Sequence, residues 1–312
     1  METSIQPKLT ISHLASLLNI SVQALHKRLK TQNILYEKIG NKAYITHSQS
    51  RKLLNLDFDK KIITSHIVKG GTGKTTSIQN IACCANSYGA KVLLIDIDPQ
   101  GNLTDSFNID AEEIPVLVDC VSDQINIKES IVNICDGLDF VPSRIENVVL
   151  DGKLSVLRYP LNLMFDNIFQ DIVSNYDFIF IDCPPTMGHS VTAATLFADT
   201  VIVPLNPNKF STKGLKILKD EIKSLRKIYK TSIDYKVFLN KFSGNTILSD
   251  KIVNTIMADE FAEGNALSTA IRRAQEIENA NDAGVSLFSS VKKSVARDDY
   301  ELLTKELLNI VL

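Results

Sequence analysis

Residues 62–76, Ile-Ile-Thr-Ser-His-Ile-Val-Lys-Gly-Gly-Thr-Gly-Lys-Thr-Thr, constrain this chain more than any other stretch. A short apolar run leads into closely spaced glycines flanked by lysines, which predicts a strand feeding a loop that wraps a polyphosphate. Such a loop must turn its backbone N–H groups inward, and Gly70, Gly71 and Gly73 permit conformations and close approaches that a Cβ would obstruct. Lys74 is then placed to neutralise β/γ-phosphate charge, and the Thr75 hydroxyl to hold Mg²⁺. A helix predicted over residues 75–88 points its N-terminus at the same anion, so its dipole adds to the attraction.

The common spacing for such a loop is Gly, four residues, then Gly-Lys-Ser/Thr, yet residues 65–68 hold no glycine. The loop is compressed into residues 69–76 and carries an extra lysine at its head. In this it resembles the deviant Walker A motif of the ParA/MinD family of ATPases. The resemblance implies that Lys69, Gly70, Gly71, Thr72, Gly73, Lys74, Thr75 and Thr76 enclose ATP with Mg²⁺. It also implies that Lys69 reaches across an ATP-dependent homodimer to the partner's phosphates.

Two further strand ends fit this arrangement. Residues 91–102 deliver Asp96 and Asp98 at the carboxyl end of an apolar run, where ligands of parallel sheets bind, although aspartates there also cap following segments. By the resemblance, Asp98 orients the attacking water and completes a catalytic set with Lys69 and Lys74, while Asp96 supports the metal's hydration shell. Residues 176–185 form a strand ending in Asp182, the Walker B position, which holds Mg²⁺ through water; Cys183 reads as a packed thiol, and the prolines and Gly188 begin a switch loop. Residues 235–240 form another strand, and the resemblance puts Asn240 at the adenine edge, though asparagine also ends strands for turn reasons. With strands at 138–142 and 199–205 and helices over 162–175 and up to 230, the pattern predicts an α/β fold, a doubly wound, mainly parallel sheet spanning residues 58–312.

Residues 1–57 read as a separate module. Leu14, Leu18, Leu25 and Leu29 recur at helical intervals on either side of Asn19-Ile20-Ser21, which predicts two short helices about a tight turn. Ala15 lets them approach, Asn19 tolerates the left-handed conformation, and Ile20 and Leu25 are expected to lock one helix on the other. Gln23, Lys27, Arg28 and Lys30 then lie on an outward face suited to a major groove and its phosphates. Gly40-Asn41 predicts a hairpin, residues 48–56 a closing helix and residues 57–61 a linker. The arrangement resembles the winged or MerR-like helix-turn-helix heads of some plasmid ParA proteins, which implies operator binding; a dimerisation arm with solvated lysines is the other reading of the same residues.

Charge supports a polyanionic partner for this head: residues 1–60 carry nine Lys/Arg against four Asp/Glu in a chain of net charge −2. No apolar run approaches the roughly 18 residues of a membrane span. The N-terminus does not resemble a secretory signal, and five cysteines without paired spacing point to reduced thiols in a cytoplasmic protein. Residues 267–288 resemble the ParA segment whose early arginine contributes to sequence-independent DNA binding, which implies that role for Arg272, with Arg273, Lys292 and Lys293 as companions. Local ion pairs of Arg272 with Glu276 and Glu278 are the plainer alternative. A last helix over residues 295–312 lacks the basic amphipathic face of a membrane-anchoring tail, against the MinD branch.

Taken as a ParA-type partition ATPase, the chain is expected to be nucleoid-associated, to dimerise on ATP, and to answer to a ParB-like centromere-binding partner. A MinD-like positioning ATPase and an ATP-responsive repressor are the other functional readings. An iron–sulfur reductase is disfavoured because no suitable cysteine pair follows the phosphate motifs.

Overall fold

The computed structural model describes residues 5–243, 262 and 264–312 of the chain. Its centre is a seven-stranded sheet in the order β10-β9-β4-β8-β5-β7-β6, comprising β4 (Lys61–Ser65), β5 (Val92–Asp96), β6 (Val132–Cys135), β7 (Leu138–Val141), β8 (Phe178–Asp182), β9 (Thr200–Leu205) and β10 (Asp234–Leu239). All neighbours are parallel except the edge pair β6 and β7. Runs such as Val92–Asp96 and Phe178–Asp182 are buried at every position, as strands covered on both faces must be.

One face is covered by α4 (Lys74–Ser87), the short α5 (Asn102–Asp105), α11 (Gln275–Asp282) and α12 (Val295–Leu308), whose apolar side chains join Ile63, Val92, Leu94 and Phe180 in one core. The other is covered by α6 (Leu117–Ser122), α7 (Leu150–Val156), α8 (Met164–Phe169) and α9 (His189–Phe197) over Leu93, Ile95, Ile179 and Ile181. The long α10 (Lys209–Tyr229) packs Leu215, Leu218, Ile222 and Leu225 against Val201, Val203 and Val237 near the β10 edge.

The N-terminal module contains α1 (Ile11–Leu17) and α2 (Val22–Thr31), an antiparallel sheet β1-β3-β2 (β1 Leu9–Thr10, β2 Glu37–Ile39, β3 Lys42–Ile45), and α3 (His47–Leu54). Thr10 and Ser21 cap the first two helices, and Asn19 turns between them at φ 52°. Leu25 is fully buried, but Ile20 does not share in the lock: its amide closes the turn on the Ala15 carbonyl (3.0 Å), and its side chain is left 36% exposed.

The stretch 55–60 joins this module to β4, but the apolar core runs across it: Leu14, Leu25, Leu29 and Leu53 are continuous with Ile78, Ile81 and Ala85 of α4. Polar contacts reinforce the junction. Arg51 reaches the Gly89 carbonyl and Asp177 (each 2.7 Å), Lys8 reaches the Ser289 carbonyl (2.7 Å), and Arg297 reaches the Lys8 carbonyl (2.6 Å). At Gly89, φ is +94° and a Cβ would lie 2.5 Å from the Arg51 backbone, so this approach requires glycine.

Glu301 of α12 gathers three partners at this junction. His13 contacts it at 2.7 Å and Lys305 at 3.0 Å, and Tyr88, at the end of α4, donates to it as well. Burial alone would push its carboxyl up, but the bonds from His13 and Tyr88 and the charges of His13 and Lys305 outweigh that and bring it from 4.5 down to about 2. A depressed carboxylate contributes stability that is present above its unfolded value and lost as pH falls through its folded one. Glu301→Gln is therefore expected to cost about 2–4 kcal/mol near neutral pH, read from the denaturation midpoint. The difference from the parent should vanish between pH 4.5 and about 2; a constant difference across that window would contradict the assignment.

Three elements differ from the sequence expectations. The helix expected over 162–175 is broken into α8 and two 3-10 turns, Leu161–Leu163 and Val173–Asn175, because its apolar residues are buried as Met164, Phe165 and Phe169 in one short segment. The edge strand β6, half exposed, was not expected. The last helix stops at Leu308, where Asn309 adopts φ 54° and ends the hydrogen-bond ladder. All five cysteines are free thiols, and Cys183 packs on the Thr64 hydroxyl at 3.1 Å.

Candidate nucleotide site

At the carboxyl ends of β4, β5 and β8 the chain forms a cavity of about 500 Å³ lined by residues 70–76 together with Gln79, Asp98, Gln100, Pro185, Lys241 and Asn281, among others. Position follows from topology: β4 leads into the glycine loop, and Gly73, at φ +90°, starts α4 with its helix N-terminus directed at the cavity. A second cavity, about 550 Å³ and lined by Asn126, Tyr159 and Asn167 among others, presents no Lys or Arg.

The loop is braced from behind. Asn206 Nδ2 (3.2 Å) and Lys241 Nζ (3.1 Å) donate to the Gly71 carbonyl, and Asn240 Nδ2 donates to the Thr72 carbonyl (2.7 Å). In trans peptide units the following N–H points the opposite way, so the Thr72 and Gly73 amides are aimed away from these braces. A Cβ on Gly73 would meet Asn240 Nδ2 at 2.2 Å, which is the close approach that excludes other residues there. Gly70, by contrast, has open space where a Cβ would project. Asn240 is 3% exposed, and its Oδ1 also accepts from the Lys241 amide at 2.9 Å. Its Nδ2 thus braces the loop, while its Oδ1 fixes the adjacent Lys241 backbone.

Lys74 is buried in the loop, its ammonium donating to the Lys69 carbonyl at 3.3 Å. Burial lowers its pKa, opposed by the charges of Asp182 and Asp98. Lys69 donates to Asn208 Oδ1 at 2.6 Å, and partial burial lowers its pKa too. His66, fully buried at the entry to the loop, is held down to about 4 by burial and by Lys74, so its imidazole is neutral.

The three aspartates occupy different surroundings. Asp96 and Asp182 are register partners on adjacent strands and are both fully buried. Asp96 Oδ1 accepts from the Asp98 amide (3.0 Å), and its Oδ2 accepts from the Thr104 amide (3.0 Å) and hydroxyl (2.8 Å). Burial, and then the charge of Asp182, raise its pKa well above the ordinary value. Asp182 Oδ2 accepts from the Thr75 hydroxyl at 2.6 Å, while its Oδ1 is buried without a hydrogen-bond partner. Burial holds Asp182 up, to about 7, against the pull of Thr75 and Lys74. Asp98 alone of the three lines the cavity. An orphaned carboxylate oxygen beside a hydroxyl, with a second carboxylate alongside, fits a divalent cation that also takes oxygens from phosphate.

The residues expected to meet DNA lie elsewhere. Gln23, Lys27, Arg28 and Lys30 are exposed on α2, with Arg28 turned back onto the Leu53 carbonyl at 3.1 Å. Arg273, Lys292 and Lys293 are exposed. Arg272 pairs through its guanidinium with Asp299 of α12 (2.5 and 2.9 Å) and not with Glu276 or Glu278, leaving its side chain 55% exposed. Lys241 and Asn206 were missed at the sequence level; each follows the carboxyl end of a strand, which is the one signal that could have marked them. Among the described residues, no helix is long and apolar enough to cross a membrane.

Residues 60–235 match a family profile described as an AAA domain. The chain is 31% identical over 255 residues to a ParA family protein of Chlamydia trachomatis, covering 80% of this chain and 97% of that one. It is 27% identical over 249 residues to the sporulation initiation inhibitor protein Soj of Bacillus subtilis, covering 79% and 97%. Among solved structures, an ATP complex of McdA from Cyanothece superposes with a TM-score of 0.73 at 21% identity, over 81% of this chain and 98% of that one. A putative plasmid partition protein of Borrelia burgdorferi bound to AMPPNP gives 0.67 at 20% identity, over 80% and 99%. The cobyrinic acid a,c-diamide synthase of Mycobacterium smegmatis gives 0.70 at 22%, over 80% and 94%, so the fold is shared by proteins of different activity.

Proposed function

Because the chain belongs to the ParA family of ATPases, its residues 60–235 carrying the AAA domain, we propose that it is a DNA-partition ATPase that dimerises on ATP and Mg²⁺ and holds DNA as the dimer. The observation that carries the reading is a braced amide loop lining one cavity, whose Thr75 donates to the half-satisfied, buried Asp182 behind it. Thr75 and Asp182 would hold Mg²⁺, Asp182 through water, with Asp96 fixing the hydration shell indirectly through the chain it braces. A cation there would offset the buried negative charge and polarise the phosphates.

This chain's own residues supply the rest. The loop amides and the α4 N-terminus bind the phosphate oxygens, Lys74 neutralises their charge, and Asp98 orients water from the cavity wall. Lys69 rests on Asn208 in the single chain and is released toward the partner's nucleotide on dimerisation. The head contributes operator contacts through α2, autoregulating the chain's own expression, and Arg272 with its neighbours contributes sequence-independent ones. Loss of the γ-phosphate separates the dimer and frees the DNA, a step accelerated by a ParB-like partner. This assembly is cytoplasmic and nucleoid-associated.

Light scattering tests the reading. With a nonhydrolysable ATP analogue and Mg²⁺ the mass should double, and with ADP it should not. A monomer under both conditions would overturn the proposal.

A further inference from the structure

Charge in the chain is distributed unevenly once α10 is considered separately. Residues 209–230 contain eight Lys/Arg and two Asp/Glu, a net of +6, while residues 61–208 and 231–312 together carry −13. One helix is therefore strongly basic within an acidic domain.

Its geometry concentrates that charge on one side. Leu215, Leu218, Ile222 and Leu225 are buried against β9 and β10, and Glu221 points inward, 3.7 Å from His66. Lys213, Lys216, Lys223 and Lys227 are exposed, and Lys230 continues the row just beyond the helix end. Their spacings of three, four and seven residues place them on a single face. Asp220 is the one acid on that face, and Arg226 is turned aside to the Ile233 carbonyl at 2.5 Å. From Lys213 to Lys230 the row spans about 25 Å at 1.5 Å per residue, which matches roughly seven base pairs of duplex.

We propose that the outer face of α10 binds the phosphate backbone of duplex DNA without reading its sequence, as a surface separate from the head and from the Arg272 segment. Charge complementarity names the partner. An anionic membrane fits less well because the apolar side of α10 is occupied by the sheet, so an interfacial helix would have nothing to insert. The inference rests on the reading of the chain as a DNA-handling ATPase.

The test uses the full chain with all four of Lys213, Lys216, Lys223 and Lys227 changed to Gln, in the ATP-analogue state with Mg²⁺. Binding to random-sequence duplex is measured across salt concentrations. Each lost phosphate contact should remove about 0.9 from the slope of log K against log salt, so a fall of about 3.6 per chain is expected, with at least a tenfold loss of affinity near physiological salt. DNA-free ATP turnover should be unchanged, which shows that the variant is folded. If the parent chain binds no duplex, the DNA reading itself fails; if the parent binds and the variant keeps its slope, the α10 assignment alone fails. Cosedimentation with phosphatidylserine vesicles that requires these lysines, alongside unaltered DNA binding, would also overturn it.

Discussion

Lys74→Ala is expected to weaken ATP binding and turnover by at least about a hundredfold. Removing one charge-assisted phosphate contact in a desolvated site is worth about 1.5–3 kcal/mol. A second effect adds to it. Asp96, Asp98 and Asp182 all lie near the loop, and the charge of Lys74 draws the pKa of Asp182 downward. Without the ammonium these carboxylates would oppose an incoming triphosphate with less compensation. Folding should not suffer, since Lys74 is itself disfavoured by burial and its bond to the Lys69 carbonyl is a long one. Calorimetric titration with ATP and Mg²⁺, together with a melting curve, separates the two. Parent-like affinity in a well-folded variant would remove the phosphate-loop assignment.

Much of this site could be read before the fold was known, because the signals are local. Gly73 must begin a helix at positive φ, and runs such as 92–96 are apolar at every position before their aspartate, as only a doubly covered strand is. What could not be read depends on distance along the chain. The amide of Asn240 braces the Thr72 carbonyl across 168 residues, and no periodicity announces such a bond. The same holds for Glu301, whose partners His13 and Tyr88 come from the head and from the end of α4. Ile20 misled because hydrophobicity predicts burial while the left-handed turn at Asn19 directs the side chain outward. Half-exposed β6 carried no continuous apolar run to mark it.

The docked head alters what can be asked of the molecule. A boundary at 57/58 suggests a module that could be removed, yet the core crosses it and includes Leu14, Leu25 and Leu29 with Ile78 and Ile81. Cutting there would strip the cover from α4, the helix whose other end meets the nucleotide. Operator binding is better examined with exposed changes on α2, at Gln23 or Lys27, which disturb no buried contact.

The second large effect concerns the step after binding. Of the three aspartates, Asp96 has both oxygens engaged by the chain, and Asp182 has one on Thr75, but only Asp98 faces the cavity. One of its oxygens accepts from the Gln100 amide (3.0 Å), and its own amide is fixed on Asp96, so the carboxylate is held rigidly at the wall. That is the placement a water-orienting group needs, and such groups contribute about 10²–10⁴ to rate. Asp98→Ala should therefore bind ATP within a few-fold of the parent and lose at least about a hundredfold in turnover. On the proposed nucleotide-held dimer, it should also accumulate as the ATP-bound dimer, because the nucleotide would no longer be consumed. Asp96→Ala differs in kind: the buried Thr104 amide and hydroxyl protons would lose their acceptor, so its expected loss is in the melting temperature as well as in rate. If Asp98→Ala turned over ATP at the parent rate, the carboxylate at the wall would have no part in the chemistry, and the water would have to be oriented by a group other than these three aspartates.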